Sequence, residues 1–120
     1  MGRRVVGPDD RRRAVVTPAP TQGEIWWAEA EDKRRPVLIV TRSDAVAVLG
    51  WIIVAPVTRT IRRIPTEVEL GTSHGLPDEC VASFDNLHPI RRSLLTQRVG
   101  ELRVAELDEI CRALRALADC

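Results

Sequence analysis

Arg35 and Thr58 are the two residues of this 120-residue chain whose types and positions suggest a site that holds a phosphate. Each stands at one end of an apolar, β-branched run: Arg35 precedes 36–40 (PVLIV), and Thr58 follows 51–57 (WIIVAPV). If the two runs pair as antiparallel strands through a turn at 43–50, the start of one lies beside the end of the other. A guanidinium and a hydroxyl at one edge of a sheet can hold a phosphate.

A basic strip surrounds these two residues. Between residues 33 and 63 the chain carries seven Lys and Arg against the single acid Asp44, a local charge of +6, whereas the whole chain has a net charge of only +1. Such a strip on a nearly neutral protein favours a polyanionic partner such as nucleic acid. A solvated charged surface is the alternative interpretation of the charge alone.

The first 22 residues, MGRRVVGPDDRRRAVVTPAPTQ, differ in composition from the remainder. They mix arginine with Gly-Pro and Pro-Ala-Pro and lack the periodicity of a helix or strand. This pattern predicts a flexible arm over 1–22 and one domain over 23–120. The arm either adds weak electrostatic attraction to nucleic acid or has no role.

The sequence predicts a cytoplasmic protein. No apolar run is long enough to span a membrane, and the arginine-containing N-terminus lacks the continuous apolar segment of a secretory signal. Cys80, Cys111 and Cys120 are odd in number, form no Cys-x-x-Cys pair, and two of them fall in apolar surroundings. We therefore expect reduced, buried thiols.

Apolar runs bounded by Gly, Pro and polar clusters predict six strands. The predicted strands cover 23–29, 36–40, 51–57, 66–70, 80–84 and 94–99, with a loop over 71–79. Short strands joined by tight turns favour a small, strongly bent antiparallel sheet or a partly open barrel.

The last part of the chain predicts an amphipathic helix. Its apolar stripe has helical spacing and consists of Leu107, Ile110, Cys111, Leu114, Leu117 and Ala118. Arg103 and Val104 precede it, and neither is a preferred N-cap residue, which predicts a weakly capped start. The whole chain is thus predicted to be mainly β with a C-terminal helix that caps the sheet.

Six sequence blocks, taken in order, resemble the MazF (PemK-like) toxins of toxin–antitoxin pairs. The blocks are GEIW (23–26), RRPVLIVTR (34–42), APVT (55–58), PTEV (65–68), CVASFDN (80–86) and RVGEL (98–102), followed by the predicted helix. The resemblance implies an SH3-like small barrel that dimerises and cuts single-stranded RNA at short sequences, without a metal ion or cofactor. It also implies 2′,3′-cyclic phosphate and 5′-hydroxyl ends, and a cognate MazE-like antitoxin that blocks the site.

The resemblance assigns catalysis to the same two residues, Arg35 and Thr58. The ribose 2′-OH is the nucleophile in such a reaction, so the protein has only to stabilise phosphate charge and help to move protons. Because an arginine stays protonated, Arg35 is interpreted as an electrostatic stabiliser and general acid, with Thr58 donating a hydrogen bond. Residues expected to bind RNA around this pair are Lys33, Arg34, Arg59, Thr60, Arg62, Arg63 and Asn86.

Other interpretations have less support in the sequence. His74 and His88 lie beside Gly or Pro in predicted loops, which favours accessory or purely structural roles over a two-histidine ribonuclease site. No metal-ligand cluster and no Gly-rich phosphate loop are present. A gyrase poison of the related CcdB type would end in Trp-Gly-Ile, whereas this chain ends in Ala-Asp-Cys. A homologue that binds RNA or a partner without cutting remains the second alternative.

Overall fold

The computed structural model describes residues 19–118, and these form a curled antiparallel sheet with a C-terminal helix. Most of the arm predicted over 1–22 and the thiol of Cys120 therefore lie outside the described residues. The strands and helices are β1 (Glu24–Ala30), β2 (Lys33–Ile39), α1 (Ser43–Val46), β3 (Trp51–Thr58), β4 (Glu67–Leu70), β5 (Cys80–Ser83), β6 (His88–Arg91), β7 (Leu95–Glu101) and α2 (Asp108–Leu117). The predicted mainly β fold with a C-terminal helix is confirmed.

The strand order in the sheet is β4-β5-β3-β2-β1-β7, with β6 paired to β3 on the side away from β2. The first three strands form the predicted antiparallel meander, in which Val37 pairs with Pro56 and Ile39 with Val54. Beyond Pro56, β3 pairs with β5 instead, through Val57 and Thr58. β3 is therefore shared by the two halves of the curled sheet.

Two apolar clusters fill the two faces of the sheet. The first contains Ile25, Leu38 and Phe84 and is covered by Ile110 and Ala113 of α2. The second lies under α1 and the β3–β6 pair and consists of Trp26, Val37, Ile39, Val46, Ile52 and Val54. Neighbouring strand residues belong to different clusters, as expected when side chains alternate between the faces of a strand that is buried on both sides.

Two sequence predictions need correction. The sequence predicts no strand between 84 and 94 and a loop at His88, whereas 88–91 forms strand β6, in which only Ile90 is partly buried. Cys111 was placed in the apolar stripe of the helix, but it is exposed. The buried helix face passes through Ile110 and Ala113 and leaves Cys111 to one side.

Buried polar groups hold the loop between β4 and β5. The His74 side chain is 6% exposed, and its Nδ1 accepts the N–H of Gly71 at 3.1 Å. Nε2 therefore carries the proton and donates to a Glu106 carboxylate oxygen at 3.0 Å. The backbone N–H of Arg103 donates to the same oxygen at 2.9 Å, so Glu106 caps the segment leading into α2. These hydrogen bonds, that of the Arg103 N–H first, lower the pKa of Glu106 to about 2.

Candidate active site

The main cavity lies where β2 and β3 separate. β2 continues to pair with β1 back to Lys33, while β3 moves to β5 after Pro56. Pro36 lacks a backbone N–H group at this point, which removes a donor that a continued β2–β3 ladder would use. The resulting cleft has a volume of about 1010 Å³ and is open to solvent.

Arg35 and Thr58 lie on opposite walls of this cleft. The β2–β3 register ends at the Val37–Pro56 pair, and continuing it by two residues sets Arg35 against Thr58. Both residues line the cavity, Arg35 as an exposed side chain and Thr58 half-buried. The structure therefore brings the sequence-predicted pair into one site.

The local contacts of the pair leave hydrogen-bond donors available. The Thr58 hydroxyl accepts the N–H of Thr60 at 3.1 Å, so its own proton is free to bind another oxygen. Within residues 19–118, the Arg35 guanidinium makes no hydrogen bond or ion pair. A phosphate in the cleft could accept from both groups.

Arg34 is held differently from its neighbour. Its guanidinium carbon lies 4.3 Å from the centroid of the Trp27 ring. Its Nη2 donates to Gln97 at 2.9 Å, and its Nε lies 3.4 Å from a carboxylate oxygen of Glu29. Trp27 also lines the cleft beside Arg34. The alternating pattern of strand β1 indicates only a packed position for Trp27, so the sequence gives no signal of a role in the site.

The β3–β4 loop supplies two further basic residues to the cleft, Arg59 and Arg62, together with the hydroxyl residue Thr60. Arg59 pairs with Asp78 of the opposite loop, with 3.3 Å between Nη1 and Oδ2. Both side chains are more than half exposed, so the ion pair leaves Arg59 accessible to a competing phosphate.

A buried carboxylate shapes this β3–β4 loop. Glu67 is 5% exposed and accepts the backbone N–H groups of Arg62 and Arg63, each at 3.0 Å. Arg112 of α2 donates to the carbonyl oxygens of Pro65 at 2.7 Å and Glu67 at 2.9 Å. Glu67 and Arg112 thus fix the loop backbone from the protein interior, while the arginine side chains of the loop reach solvent.

Two of the predicted RNA-binding residues lie outside the cavity lining. Arg63 has a positive φ of 55° and its Nη1 lies 3.9 Å from Glu69, on the side of the loop away from the cleft. Lys33 is exposed at the far end of β2 and does not line the cleft. These two positions can contribute only to a longer basic surface.

Asn86 and His88 close the cleft on the β6 side. The Asn86 amide donates to the hydroxyl of Ser83 at 2.9 Å, and Ser83 is 2% exposed. His88 Nδ1 lies 3.0 Å from the carbonyl oxygen of Asn86; since a carbonyl only accepts, Nδ1 carries the proton. Both Asn86 and His88 line the cavity, so His88, for which the sequence leaves an accessory or a purely structural role open, lies at the cleft.

The remaining chemistry of the described residues is limited. Cys80 lines the cleft, but burial, and then the charge of Asp78, raise the pKa of its thiol. Between residues 19 and 118, no three His, Cys, Asp or Glu side chains are grouped so that they could hold a metal ion. In the same part of the chain, neither helix has the length and apolar character needed to cross a bilayer.

Sequence comparison relates the chain to one family. Residues 21–118 match the family described as PemK-like, MazF-like toxin of type II toxin–antitoxin system. A probable endoribonuclease MazF2 of Mycobacterium tuberculosis is 37% identical over 100 residues, covering 82% of this chain and 98% of the relative. A probable endoribonuclease MazF5 of the same organism is 36% identical over 107 residues, covering 88% and 98%.

Solved structures give the same relationship. The chain is similar to the Mycobacterium tuberculosis toxin MazF-mt6, with a TM-score of 0.74, 34% identity, and coverage of 80% of this chain and 96% of that one. An endoribonuclease in complex with its cognate antitoxin from a mycobacterial species has a TM-score of 0.72 at 27% identity, covering 82% and 94%. The resemblance drawn from the six sequence blocks is confirmed.

Proposed function

Because this chain belongs to the PemK-like, MazF-like toxin family of type II toxin–antitoxin systems, we propose that it is the toxin of such a pair and an endoribonuclease. Its substrate is single-stranded RNA, which it cuts at selected sequences. The observation that carries this function is the cleft between β2 and β3, in which Arg35 and Thr58 line opposite walls among further arginines.

The reaction uses a nucleophile from the substrate. The ribose 2′-oxygen attacks the adjacent phosphorus, the bond from phosphorus to the 5′-oxygen breaks, and the 2′-proton is released. The leaving 5′-oxygen takes up a proton, so the products carry a 2′,3′-cyclic phosphate and a 5′-hydroxyl. DNA lacks the attacking group and is excluded.

Arg35 and Thr58 act on the charge that grows on the phosphate oxygens. A guanidinium offers several N–H donors in a fixed plane, which suits an oxygen pair on phosphorus. The free proton of the Thr58 hydroxyl donates to another phosphate oxygen. Arg35 also serves as general acid toward the leaving oxygen, and no metal ion or cofactor takes part.

Other residues bind the strand on either side. Arg59, Thr60 and Arg62 contact phosphates along the loop wall of the cleft. Asn86, with one amide hydrogen bonded to Ser83, turns its remaining polar groups toward a base edge. Lys33, Arg34 and Arg63 extend the basic surface, although only Arg34 of these three lines the cleft.

The same proposal covers partners and location. A cognate MazE-like antitoxin covers the cleft when the toxin is inactive, and two copies of the chain form a homodimer. Because both RNA and antitoxin are intracellular, the protein acts in the cytoplasm.

The test is incubation of the purified protein with a long RNA in EDTA, followed by mapping of the cut positions and end groups. We expect cleavage to persist in EDTA and to stop when the nucleotide on the 5′ side of the cut is 2′-deoxy. Arg35→Ala and Thr58→Ala should each lower the rate by on the order of 10²–10³ with the fold intact.

Arg42→Ala provides the matched control, because Arg42 is an exposed arginine that pairs with Asp44 away from the cleft. Its cleavage rate should equal that of the wild type. Full activity in a folded Arg35→Ala variant would refute the catalytic assignment, and cleavage lost in EDTA would refute the metal-free mechanism.

A further inference from the structure

Arg34 is immobilised by groups from two neighbouring strands. Glu29 stands directly opposite Arg34 in the β1–β2 register, and Trp27 stands opposite Gln97 in the β1–β7 register. Residues opposite each other in a sheet project from the same face, and so do residues two apart in one strand. The Arg34 side chain therefore runs across β1, over the Trp27 ring, to reach Gln97 on β7.

This arrangement leaves one part of the guanidinium accessible. One face is covered by the indole ring at 4.3 Å, and two edge positions are occupied by Gln97 and Glu29. The side chain is nevertheless 47% exposed and lines the cleft. The open portion therefore includes the planar face that the indole ring does not cover.

We propose that Arg34, backed by Trp27, is a stacking site for one nucleobase of a strand bound in the cleft. This inference rests on the proposed function for the identity of the ligand. The base lies flat on the open face of the guanidinium, so that the indole ring, the guanidinium and the base form a three-layer stack. Glu29 and Gln97 are positioning residues, because they fix the plane of Arg34 without touching RNA.

Stacking explains the local chemistry better than a phosphate contact does. Glu29 offsets the charge of Arg34, and Gln97 uses one of its donors, which weakens it as a phosphate clamp. The adjacent Arg35 makes no such contacts within the described part of the chain and is the better phosphate ligand. Unpaired bases of single-stranded RNA commonly stack on aromatic rings and arginine planes, and such stacking tolerates any base.

The test measures stacking directly. A short 2′-O-methyl RNA, which cannot be cleaved through the 2′ position, carries the fluorescent base 2-aminopurine at one position at a time. We expect binding to the wild-type protein to quench the fluorescence of one position strongly. Arg34→Lys and Trp27→Leu should remove that quenching and weaken binding by about 5- to 100-fold.

Two comparisons separate stacking from charge. Arg34→Lys keeps the charge, so the dependence of log affinity on log salt concentration should stay unchanged in this variant. If Arg34 instead contacted a phosphate, Arg34→Lys would bind RNA as the wild type does, and Arg34→Ala would lower the slope of that dependence by about 0.7. The matched control is Arg91→Lys, because Arg91 lies 4.8 Å over the Trp51 ring and outside the cleft lining. That variant should quench and bind as the wild type does.

Failure of this inference can be told from failure of the proposed function. If the protein cuts RNA but Arg34→Lys binds and quenches normally, the stacking site is wrong and the ribonuclease stands. If RNA binds with position-specific quenching but is never cut, the stacking site stands and the catalytic function fails. If Arg34→Lys weakens only the binding of the antitoxin, the site belongs to that protein and the inference is overturned.

Discussion

Glu106 should make this fold sensitive to acid. Its carboxylate accepts the backbone N–H of Arg103 and the Nε2–H of His74, and so joins the entry to α2 with the β4–β5 loop. The perturbation is Glu106→Gln, which keeps the shape of the side chain but removes its charge. The amide still offers one acceptor oxygen, so the variant should fold.

The magnitude follows from the pKa of Glu106, which is lowered from 4.5 to about 2 in the folded state. Between these values the unfolded chain binds more protons than the folded one, so stability rises with pH across this window. The charged carboxylate therefore contributes fully above about pH 5, and its contribution is lost as the pH falls toward 2. After an allowance for its 27% exposure, the contribution is about 2 to 3 kcal/mol.

The assay is urea unfolding followed by tryptophan fluorescence at several pH values between neutrality and about pH 2. The wild type should be about 2 to 3 kcal/mol more stable than Glu106→Gln near neutral pH, and the difference should shrink toward zero in acid. Glu79→Gln is the control, since the Glu79 side chain is exposed and makes no hydrogen bond or ion pair with residues 19–118. A difference between wild type and Glu106→Gln that stays constant over this pH range would refute the reasoning.

Three further predictions concern packing and reactivity. Gly100→Ala should unfold the protein or lower its stability by more than about 3 kcal/mol, because a Cβ at Gly100 would overlap the carbonyl oxygen of His74; a thermal melt that matches the wild type would contradict this close approach. Glu67→Ala leaves two backbone N–H groups of the β3–β4 loop without their acceptor, so it should cost about 1 to 3 kcal/mol and raise protease sensitivity within that loop, measured by limited proteolysis and chemical unfolding. Cys111 should react with a thiol reagent much faster than Cys80, because Cys111 is exposed whereas burial raises the pKa of the Cys80 thiol. Peptide mass mapping over time measures the two rates, and equal rates would argue against the buried position of Cys80.

The central strands and the placement of Arg35 and Thr58 were predictable from the sequence. The two β-branched runs can bury both faces only as neighbouring strands, and an antiparallel turn then fixes which ends meet. The register found in the structure, Val37 with Pro56, agrees with this reasoning. The prediction of this strand pair rested on the residue pattern and the length of each run, and both are local properties of the sequence.

Features that depend on distant contacts were not predictable in this way. Strand β6 is short and mostly exposed, and it exists because β3 offers a free edge. Cys111 fits a helical stripe as well as Ala113 does, and only the tilt of α2 on the sheet decides between them. The start of α2 has no side-chain cap, and Glu106 instead accepts the N–H of Arg103 at the start of the short 3₁₀ turn that precedes the helix. Local spacing contains none of this information.

The cleft also combines a feature that was predictable from the sequence with one that depends on distant contacts. Arg34 and Arg35 are neighbours of the same type, and their sequence context gave them similar roles. Their contacts differ because β1 and β7 provide Trp27, Glu29 and Gln97 on one side of the strand only. The resemblance to a family led to the proposal that Arg35 is catalytic, whereas the different contacts of its neighbour Arg34 required the three-dimensional structure.

The transfer of β3 from one half of the sheet to the other has a consequence for how this scaffold can diversify. The spacing of Arg35 and Thr58 is determined by two strands that are each anchored in both apolar clusters, whereas much of the surrounding surface comes from loops. Insertions or replacements in the loops can therefore change the surface around the cleft while Arg35 and Thr58 keep their relative position. One rigid backbone frame can thus serve many different recognition surfaces.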